Sequence, residues 1–271
     1  MKKNTKKKIM NLLAVICLLA ALGCGGYLAY YYYTSAKSEA AIMELSSMIQ
    51  TVEMEKPDGE KKMQLEMVDA GGVMVQKKFE ALYKKNHDFL GWLTIADTYV
   101  DYPVMYTPND NENGEFYIHR DFDMEYSAAG LLFLDRNCDV RIPTDNLIVY
   151  GHNMNSGTMF HDILQYERED FYQAHKTFRF DTIYEDAEYE VVAAFYGQIL
   201  DVNSTDFKYY EFVNAGSEKE FMEFVDNIKA MSVIDTGVDV EYGDKLITLS
   251  TCAYHVDDGR FAVVAKKRTD D

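Results

Sequence analysis

The chain has 271 residues, of which 48% are hydrophobic and 14% aromatic, and it carries a formal net charge of −18. This length and composition suit one sizeable core with appendages rather than several independent domains. The first 36 residues hold five lysines and no acidic residue, so the remainder carries a formal charge of −23. Such an acidic surface repels polyanions and argues against a DNA or RNA partner. We attribute the charge itself to solubility.

The N-terminus carries a basic tail followed by an uncharged segment. Five lysines lie within residues 1–8, and residues 9–36 contain no charged side chain. About 20 apolar residues suffice to cross a bilayer, and lysines flank such helices on the cytoplasmic side. We therefore predict a cytoplasmic tail at 1–8, a single-pass membrane anchor at 9–36 and a body outside the membrane.

Two other interpretations of the uncharged segment stay open. One is a cleaved secretory signal, although the tyrosines within 27–33 extend the hydrophobic region beyond an ordinary signal core and are typical of an interfacial aromatic anchor. The other is lipid attachment at Cys24, although Ala21 stands three residues before it, where lipoprotein signals usually carry leucine.

Residues 37–72 are predicted to form a stalk helix and a linker. Ile42, Leu45, Ile49 and Val52 recur at helical spacing, and the polar run at 56–62 ends that pattern. A second helical pattern predicts a covering helix over residues 73–85. The compact domain is therefore predicted to span residues 73–271.

The compact domain is rich in predicted strands. Short apolar runs bounded by turn residues predict strands at 99–105, 130–134, 147–150, 177–183, 188–196, 246–252 and 261–266. Pro103 confines the first of these to a sheet edge or a bulge, because proline cannot donate a ladder hydrogen bond. Many short strands with few helices between them predict a mostly β fold, a closed or nearly closed β-barrel.

Two helices interrupt the predicted strands, one around residues 160–168 and a clearer one at 217–231. Ser217 and Glu220 have the spacing of a capping box. The second helix carries a core-facing apolar stripe, which consists of Phe221, Phe224, Val225 and Ile228.

Cysteine usage indicates neither a disulfide-stapled domain nor a metal site. Cys17 and Cys24 lie in the hydrophobic segment, which leaves Cys138 and Cys252 in the body. An exported domain held by disulfides would carry more cysteines, although one bridge between these two stays open. The chain has no CxxC pair, HExxH helix or acidic calcium loop, so we predict no metal or cofactor.

Cys252 and Arg260 form the strongest chemical pattern. The thiol ends one predicted strand, and eight residues later the arginine begins the next. If the strands pair, both side chains reach one carbonyl, where a guanidinium can hold the developing oxyanion. The alternative for Arg260 is a salt-bridged surface arginine.

A catalytic thiol also needs a histidine to exchange protons with the leaving and incoming groups. His152 is the best candidate among six histidines, because it follows the predicted strand at 147–150 in a loop of small and polar residues. His255 is the rival, only three residues from the thiol. A lone loop histidine is otherwise most often a solvent-facing side chain.

Three segments resemble the signature segments of the sortases, the cysteine transpeptidases of Gram-positive cell surfaces. They are Thr248-Leu-Ser-Thr-Cys252, Tyr150-Gly-His152-Asn-Met and Arg260-Phe-Ala-Val-Val-Ala. The similarity covers residues 79–267. It is closest to class B sortases, on account of the Gly-His-Asn-Met run, the region Tyr117-Ile-His-Arg-Asp-Phe122 and the capped helix before the cysteine strand.

The resemblance implies a role for each matched residue. Cys252 is expected as the nucleophile, His152 as the acid and base, and Arg260 as the oxyanion-stabilising cation. Tyr150, Ser250 and Thr251 are expected to line the substrate. Some class B members carry an acidic residue directly after the cysteine, where this chain has Ala253.

The resemblance also implies the reaction and its partners. The thiolate is expected to attack the threonine carbonyl in the C-terminal sorting motif of a secreted protein, forming a thioester. An amine of a peptidoglycan precursor or of a pilin subunit is then expected to attack the thioester and become joined to the protein, at the outer face of the cell membrane. Two alternatives stay open: an extracytoplasmic cysteine peptidase that uses water, and a non-catalytic surface protein.

Overall fold

The computed structural model describes residues 2–54 and 65–269. The predicted linker at 56–62 lies outside these residues. The chain divides into two compact units, Met1–Ala41 and Ile42–Asp271. The first unit is the leading part of helix α1, which runs from Lys2 to Met54. Among the described residues, this is the one helix long and apolar enough to cross a bilayer, with a mean hydropathy of 2.3 in its most apolar window.

The end of α1 belongs to the second unit and packs against its core. Leu45 is buried, and Ile42 and Ile49 contact the same apolar cluster, which includes Phe79 and Leu82. The helical spacing predicted for these α1 residues is therefore confirmed. The side chain of Val52, the last residue of that pattern, is outside the described part.

The second unit is built on a closed β-barrel, which confirms the predicted fold class. Its eight strands are β3 (Phe89–Thr94), β4 (Asp101–Met105), β5 (Leu132–Leu134), β6 (Asn146–Tyr150), β7 (Thr177–Thr182), β8 (Glu188–Gln198), β9 (Leu246–Cys252) and β10 (Gly259–Lys267). Around the barrel they follow the order β10, β8, β7, β3, β4, β5, β6, β9, and β9 pairs with β10 to close it. Two of the pairings are parallel, β4 with β5 and β6 with β9.

The helix predicted over residues 73–85 was wrong in its first half. Strands β1 (Met67–Asp69) and β2 (Met74–Gln76) pair as an antiparallel hairpin there, followed by a 3-10 turn and the short helix α2 (Glu80–Lys85). Gly71 and Gly72 both adopt positive φ, which forms the hairpin turn and interrupts any helix before this point. The apolar residues Val75, Phe79 and Leu82 are still buried on one side of the segment.

Pro103 lies at neither a sheet edge nor a bulge of its own strand, so the prediction of an edge or a bulge was wrong. β4 pairs with β3 on one side and β5 on the other. The chain tolerates the proline because the ladder with β5 begins only at Val104, one residue later. The irregularity in this part of the barrel lies in β3, between Phe89 and Gly91. Strand β3 itself was missed, since its run of apolar residues lacks the alternation of a half-exposed strand.

Helix α4 (Glu218–Met231) covers the outer face of β8 and β10. Its cap is confirmed, because the Ser217 side chain accepts a hydrogen bond from the backbone N–H of Glu220. The predicted apolar stripe is buried in a cluster with side chains of both strands, among them Phe195 and Ala262. The helix predicted around 160–168 is instead a 3-10 helix at Asp162–Glu167, followed by α3 (Glu169–Ala174).

Candidate active site

Cys252 and Arg260 face each other across two neighbouring strands. In the antiparallel ladder of β9 and β10, their Cα atoms are direct partners, a position in which Cα atoms lie about 5 Å apart. Directly opposed side chains share one face of a sheet. This is the outer face, because Phe261, which follows Arg260 and points to the opposite face, and Leu249, three residues before Cys252, belong to the apolar cluster that fills the barrel.

The histidine loop is tied to the cysteine strand. β6 runs parallel to β9 with Tyr150 beside Ser250. Both chains leave the barrel at this end, and Gly151 continues the pairing, since its N–H donates to the Ser250 carbonyl at 3.2 Å. His152 is the next residue along the chain. Two hydrogen bonds hold the loop here: Thr251 Oγ1 donates to the Gly151 carbonyl at 2.7 Å, and Asn153 Nδ2 donates to the Cys252 carbonyl at 3.1 Å.

The imidazole of His152 is half-buried and held on two sides. Its Nε2 lies 2.9 Å from the carbonyl oxygen of Ile118, and its ring stacks on that of His119 with centroids 5.2 Å apart. Burial lowers the pKa of His152 below its ordinary value of 6.5, and a charge on His119 lowers it further, against the opposing effect of the Ile118 carbonyl. The neutral imidazole is therefore favoured.

His255, the alternative histidine, lies beside a different face. Its ring contacts Tyr196 edge-on at 4.7 Å between centroids. Tyr196 pairs with Phe261, the residue after Arg260, and so occupies the face opposite to the thiol. The loop of His152 is hydrogen-bonded to the cysteine strand on both sides of this histidine, so the geometry favours His152 over His255 as the partner of Cys252.

Arg260 is not a salt-bridged surface residue. It is half-buried, and its Nη1 donates to the carbonyl of the neighbouring Gly259 at 3.0 Å. No carboxylate forms an ion pair with Arg260 anywhere in residues 2–54 and 65–269, although the chain has 45 acidic residues against 27 lysines and arginines. Its guanidinium retains donors that can meet an incoming oxygen.

Tyr209, which the sequence analysis missed, supports the cysteine strand. It is buried, and its Oη lies 2.8 Å from Ser250 Oγ. Burial raises its pKa to about 12, and the positive charge of Arg260 opposes that shift. Gly197, the partner of Arg260 on β8, leaves room for the tyrosine, since a Cβ there would lie 3.0 Å from its ring. The sequence feature that could have revealed it is the pair of adjacent aromatic residues, Tyr209 and Tyr210, in the segment before the capped helix α4.

The three residues predicted to line the substrate differ in exposure. Tyr150 is half-buried, and its Oη donates to Asp135 at 3.2 Å. Ser250 and Thr251 are buried, and their hydroxyl groups bond to the Tyr209 hydroxyl and to the Gly151 carbonyl respectively. Ser250 and Thr251 belong to the cysteine strand and Tyr150 lies beside it on β6, and the contact of all three with substrate stays a prediction.

The two cysteines of the barrel unit occupy different environments. Cys138 is buried in the barrel core, where burial raises the pKa of its thiol to about 12. Such a thiol stays protonated and unreactive. Cys252 is half-buried on the outer face, and both thiols are free, so the disulfide left open by the sequence is not formed.

Comparisons with known proteins agree on one family. The family model described as Sortase domain matches residues 93–268. Sortase B of Listeria monocytogenes is 34% identical over 194 residues, which make up 71% of this chain and 74% of that protein. A Staphylococcus aureus sortase B-substrate complex superposes with a TM-score of 0.72 at 27% identity, covering 88% of this chain and 99% of that one. A sortase B complexed with triglycine gives a TM-score of 0.71 at 28% identity, covering 88% and 100%.

Proposed function

The chain belongs to the sortase family of cysteine transpeptidases, and from this premise we propose that Cys252, His152 and Arg260 form its catalytic centre. The observation that carries the proposal is the pairing of Arg260 with Cys252 across β9 and β10. The parallel pairing of β6 with β9 supports the third member, since both strands end at the same rim.

The first half of the proposed reaction breaks a peptide bond. His152 takes the proton of the Cys252 thiol, and the resulting thiolate attacks the carbonyl carbon of a threonine in the substrate, whose carbonyl oxygen becomes an oxyanion. Arg260 stabilises this oxyanion with charged donors in a partly water-excluded site. The tetrahedral intermediate then expels the amine, which takes a proton from His152, and a thioester remains on Cys252.

The second half forms a new amide bond. An acceptor amine attacks the thioester carbon and passes a proton to His152, while Arg260 again holds the oxyanion. Collapse of this intermediate releases the Cys252 thiolate and joins the substrate to the acceptor. Because neutral imidazole is favoured at His152, the ring is ready to receive that proton.

The proposed substrate is a secreted protein with a C-terminal sorting motif. The proposed acceptor is an amine of a peptidoglycan precursor or of a pilin subunit. Similarity to a sortase B solved in complex with a substrate supports the first assignment, and similarity to one complexed with triglycine supports an amine acceptor of peptide type.

The proposed location is the cell membrane, with residues 1–8 in the cytoplasm, a spanning helix over 9–36 and a catalytic domain over 73–271 outside. Residues 37–72 would connect the two as stalk and linker. The apolar N-terminal helix and the lysines before it support this arrangement. An anchored enzyme meets exported substrates and lipid-linked acceptors as they arrive at the same surface.

The proposal is tested with the full-length protein in detergent micelles. The protein is incubated with a library of sorting-motif peptides, with and without triglycine, and the products are identified by mass spectrometry. We expect a ligated product that requires both the peptide and the amine. Cys252→Ala should abolish it, whereas Cys138→Ala, the matched change at the other cysteine of the barrel unit, should retain it.

Two results would contradict the proposal. Cleaved peptide without ligated product at saturating triglycine would indicate a hydrolase. Full activity in Cys252→Ala would exclude the assigned nucleophile.

A further inference from the structure

His119 covers one face of the His152 ring. The two imidazoles are nearly parallel, with 21° between their planes and 5.2 Å between their centroids. His119 ends the 3-10 helix Phe116–His119 and is itself exposed. Water therefore reaches the outer side of His119, while its inner side shields His152.

The Ile118 carbonyl fixes which nitrogen of His152 carries the proton. A carbonyl oxygen can only accept a hydrogen bond, so the Nε2 atom at 2.9 Å must be the donor. In the neutral ring the proton then resides on Nε2, and Nδ1 has a free lone pair. Nδ1 is therefore the nitrogen left to exchange protons during the reaction.

The backbone that provides these contacts is rigidly held. The side chain of Tyr117 is buried, and its Oη donates to Asp88 at 2.9 Å and accepts from Asn86 at 2.8 Å. On the other side, Leu131 donates to the Tyr117 carbonyl at 3.0 Å. Gly130 packs so closely that a Cβ there would lie 2.2 Å from the Ile118 oxygen. The Ile118 carbonyl thus has little freedom to move.

We propose that His119 is a positioning residue, which together with the Ile118 carbonyl holds the His152 ring so that Nδ1 faces the reacting groups. The proposal rests on the proposed function, because it presumes that His152 acts in catalysis. A ring pinned at one nitrogen by a single hydrogen bond can still rotate about it. Stacking on a second ring removes that rotation and keeps the free nitrogen in register with the substrate.

The electrostatic surroundings of His152 agree with this role. Apart from burial and the Ile118 carbonyl, His119 is the group that shifts the pKa of His152. Tyr126 lies beyond His119, with 6.4 Å between the ring centroids. Since a charge on His119 lowers the pKa of His152, a ring without charge should raise that pKa towards its ordinary value.

The test separates stacking from charge with two variants of the full-length protein. His119→Ala removes the ring, and His119→Phe keeps a ring that cannot be charged. We expect His119→Ala to lower kcat about tenfold with little change in KM, because a small misplacement of a catalytic group has effects of this order. His119→Phe should restore kcat. It should also raise the pKa of His152, as measured in the pH profile of kcat/KM.

His87→Ala is the matched control. His87 is also exposed and also contacts an aromatic ring, that of Tyr83 at 5.0 Å between centroids, and removing its side chain leaves the bonds of the flanking Asn86 and Asp88 to Tyr117 in place. It should leave kcat and the pH profile unchanged. Thermal unfolding of each variant shows whether it is folded. If His119→Ala does not fold, the pH profile of His119→Phe alone tests the positioning role.

The outcomes distinguish this inference from the function on which it rests. Unchanged kcat in His119→Ala, or a change in KM alone, would overturn the positioning role while His152→Ala still abolishes ligation. Failure of His119→Phe to restore kcat would also overturn it. If His152→Ala retains ligation, the catalytic assignment itself fails, whatever the His119 variants do.

Discussion

Arg260 lies directly opposite Cys252 in the ladder of β9 and β10, although the loop between them separates them by eight positions in the chain. The pairing depends on the register between β9 and β10. A shift of one residue would turn either side chain to the inner face of the barrel. The closed barrel fixes that register, since β10 is also paired along its length with β8.

Replacing Arg260 tests whether its charge or its shape matters. We expect Arg260→Ala to lower kcat about 10²- to 10³-fold, the usual cost of losing an oxyanion donor. Arg260→Lys should recover only part of this, because an ammonium group lacks the planar fork. The measurement is steady-state ligation of a sorting peptide to triglycine.

The control for Arg260 is Arg268→Ala. Arg268 follows the end of the same strand and forms a surface ion pair with Glu188 at 2.6 Å. It should leave kcat unchanged. Equal effects of the alanine variants at 260 and 268 would contradict a specific role for Arg260.

Gly130→Ala should damage the site from a distance. Gly130 has a φ of +57°, and an added Cβ would lie 2.2 Å from the Ile118 oxygen. The methyl group must displace the carbonyl that holds His152, so we expect lower kcat together with lower stability. Ligation kinetics and urea unfolding measure the two effects.

Gly237→Ala is the matched control for Gly130. Its φ is +65°, but nothing lies within 4 Å of a Cβ built there. It should cost only the backbone strain, about 1 to 2 kcal/mol, with kcat unchanged. If both variants lose stability equally and keep full activity, the steric argument at Ile118 is wrong.

The hydrogen bond between Tyr209 and Ser250 should stabilise the cysteine strand. Both groups are buried and their oxygens lie 2.8 Å apart. Tyr209→Phe should therefore lower the free energy of unfolding by about 1 to 3 kcal/mol, since it leaves a buried hydroxyl without its partner. In a double-mutant cycle with Ser250→Ala, the combined loss should be smaller than the sum. Additive losses would show that the two hydroxyls do not interact.

Acid should destabilise the fold partly through His152. Its pKa in the folded protein lies below the ordinary 6.5, so below that pH the unfolded chain binds protons more readily. The contribution of this group is intact above pH 6.5 and is lost as the pH falls through the folded pKa. Stability of the wild type relative to His152→Gln should thus decline between about pH 7.5 and pH 5. A constant difference across this range would contradict the pKa direction.

Much of the barrel could be predicted from local sequence. Strand β9 has the predicted bounds, and the capped helix α4 carries its apolar stripe on the buried face. β3 and the β1–β2 hairpin could not be predicted in this way. β3 is buried along nearly its whole length, so alternation is absent, and β1 and β2 have only three residues each.

The residues of the candidate site also fall into those that the sequence could indicate and those that it could not. Cys252, His152 and Arg260 could be proposed from sequence because each stands at or just beyond a strand end, beside a recognisable run. His119 and Tyr209 could not, because their importance lies in contacts with residues 33 and 41 positions away in the chain, His152 and Ser250. Only the closed barrel brings those partners together.

Trapping the covalent intermediate tests the central claim most directly. The full-length protein is mixed with a sorting peptide in the absence of amine, quenched in acid, and its mass and modified residue are determined by mass spectrometry. We predict an acyl adduct on Cys252 that triglycine discharges, that forms on Cys138→Ala as on the wild type, and that is much reduced in Arg260→Ala. An adduct on another residue, or an undiminished yield on Cys252 when Arg260 and His152 are both replaced by alanine, would contradict the proposed catalytic centre.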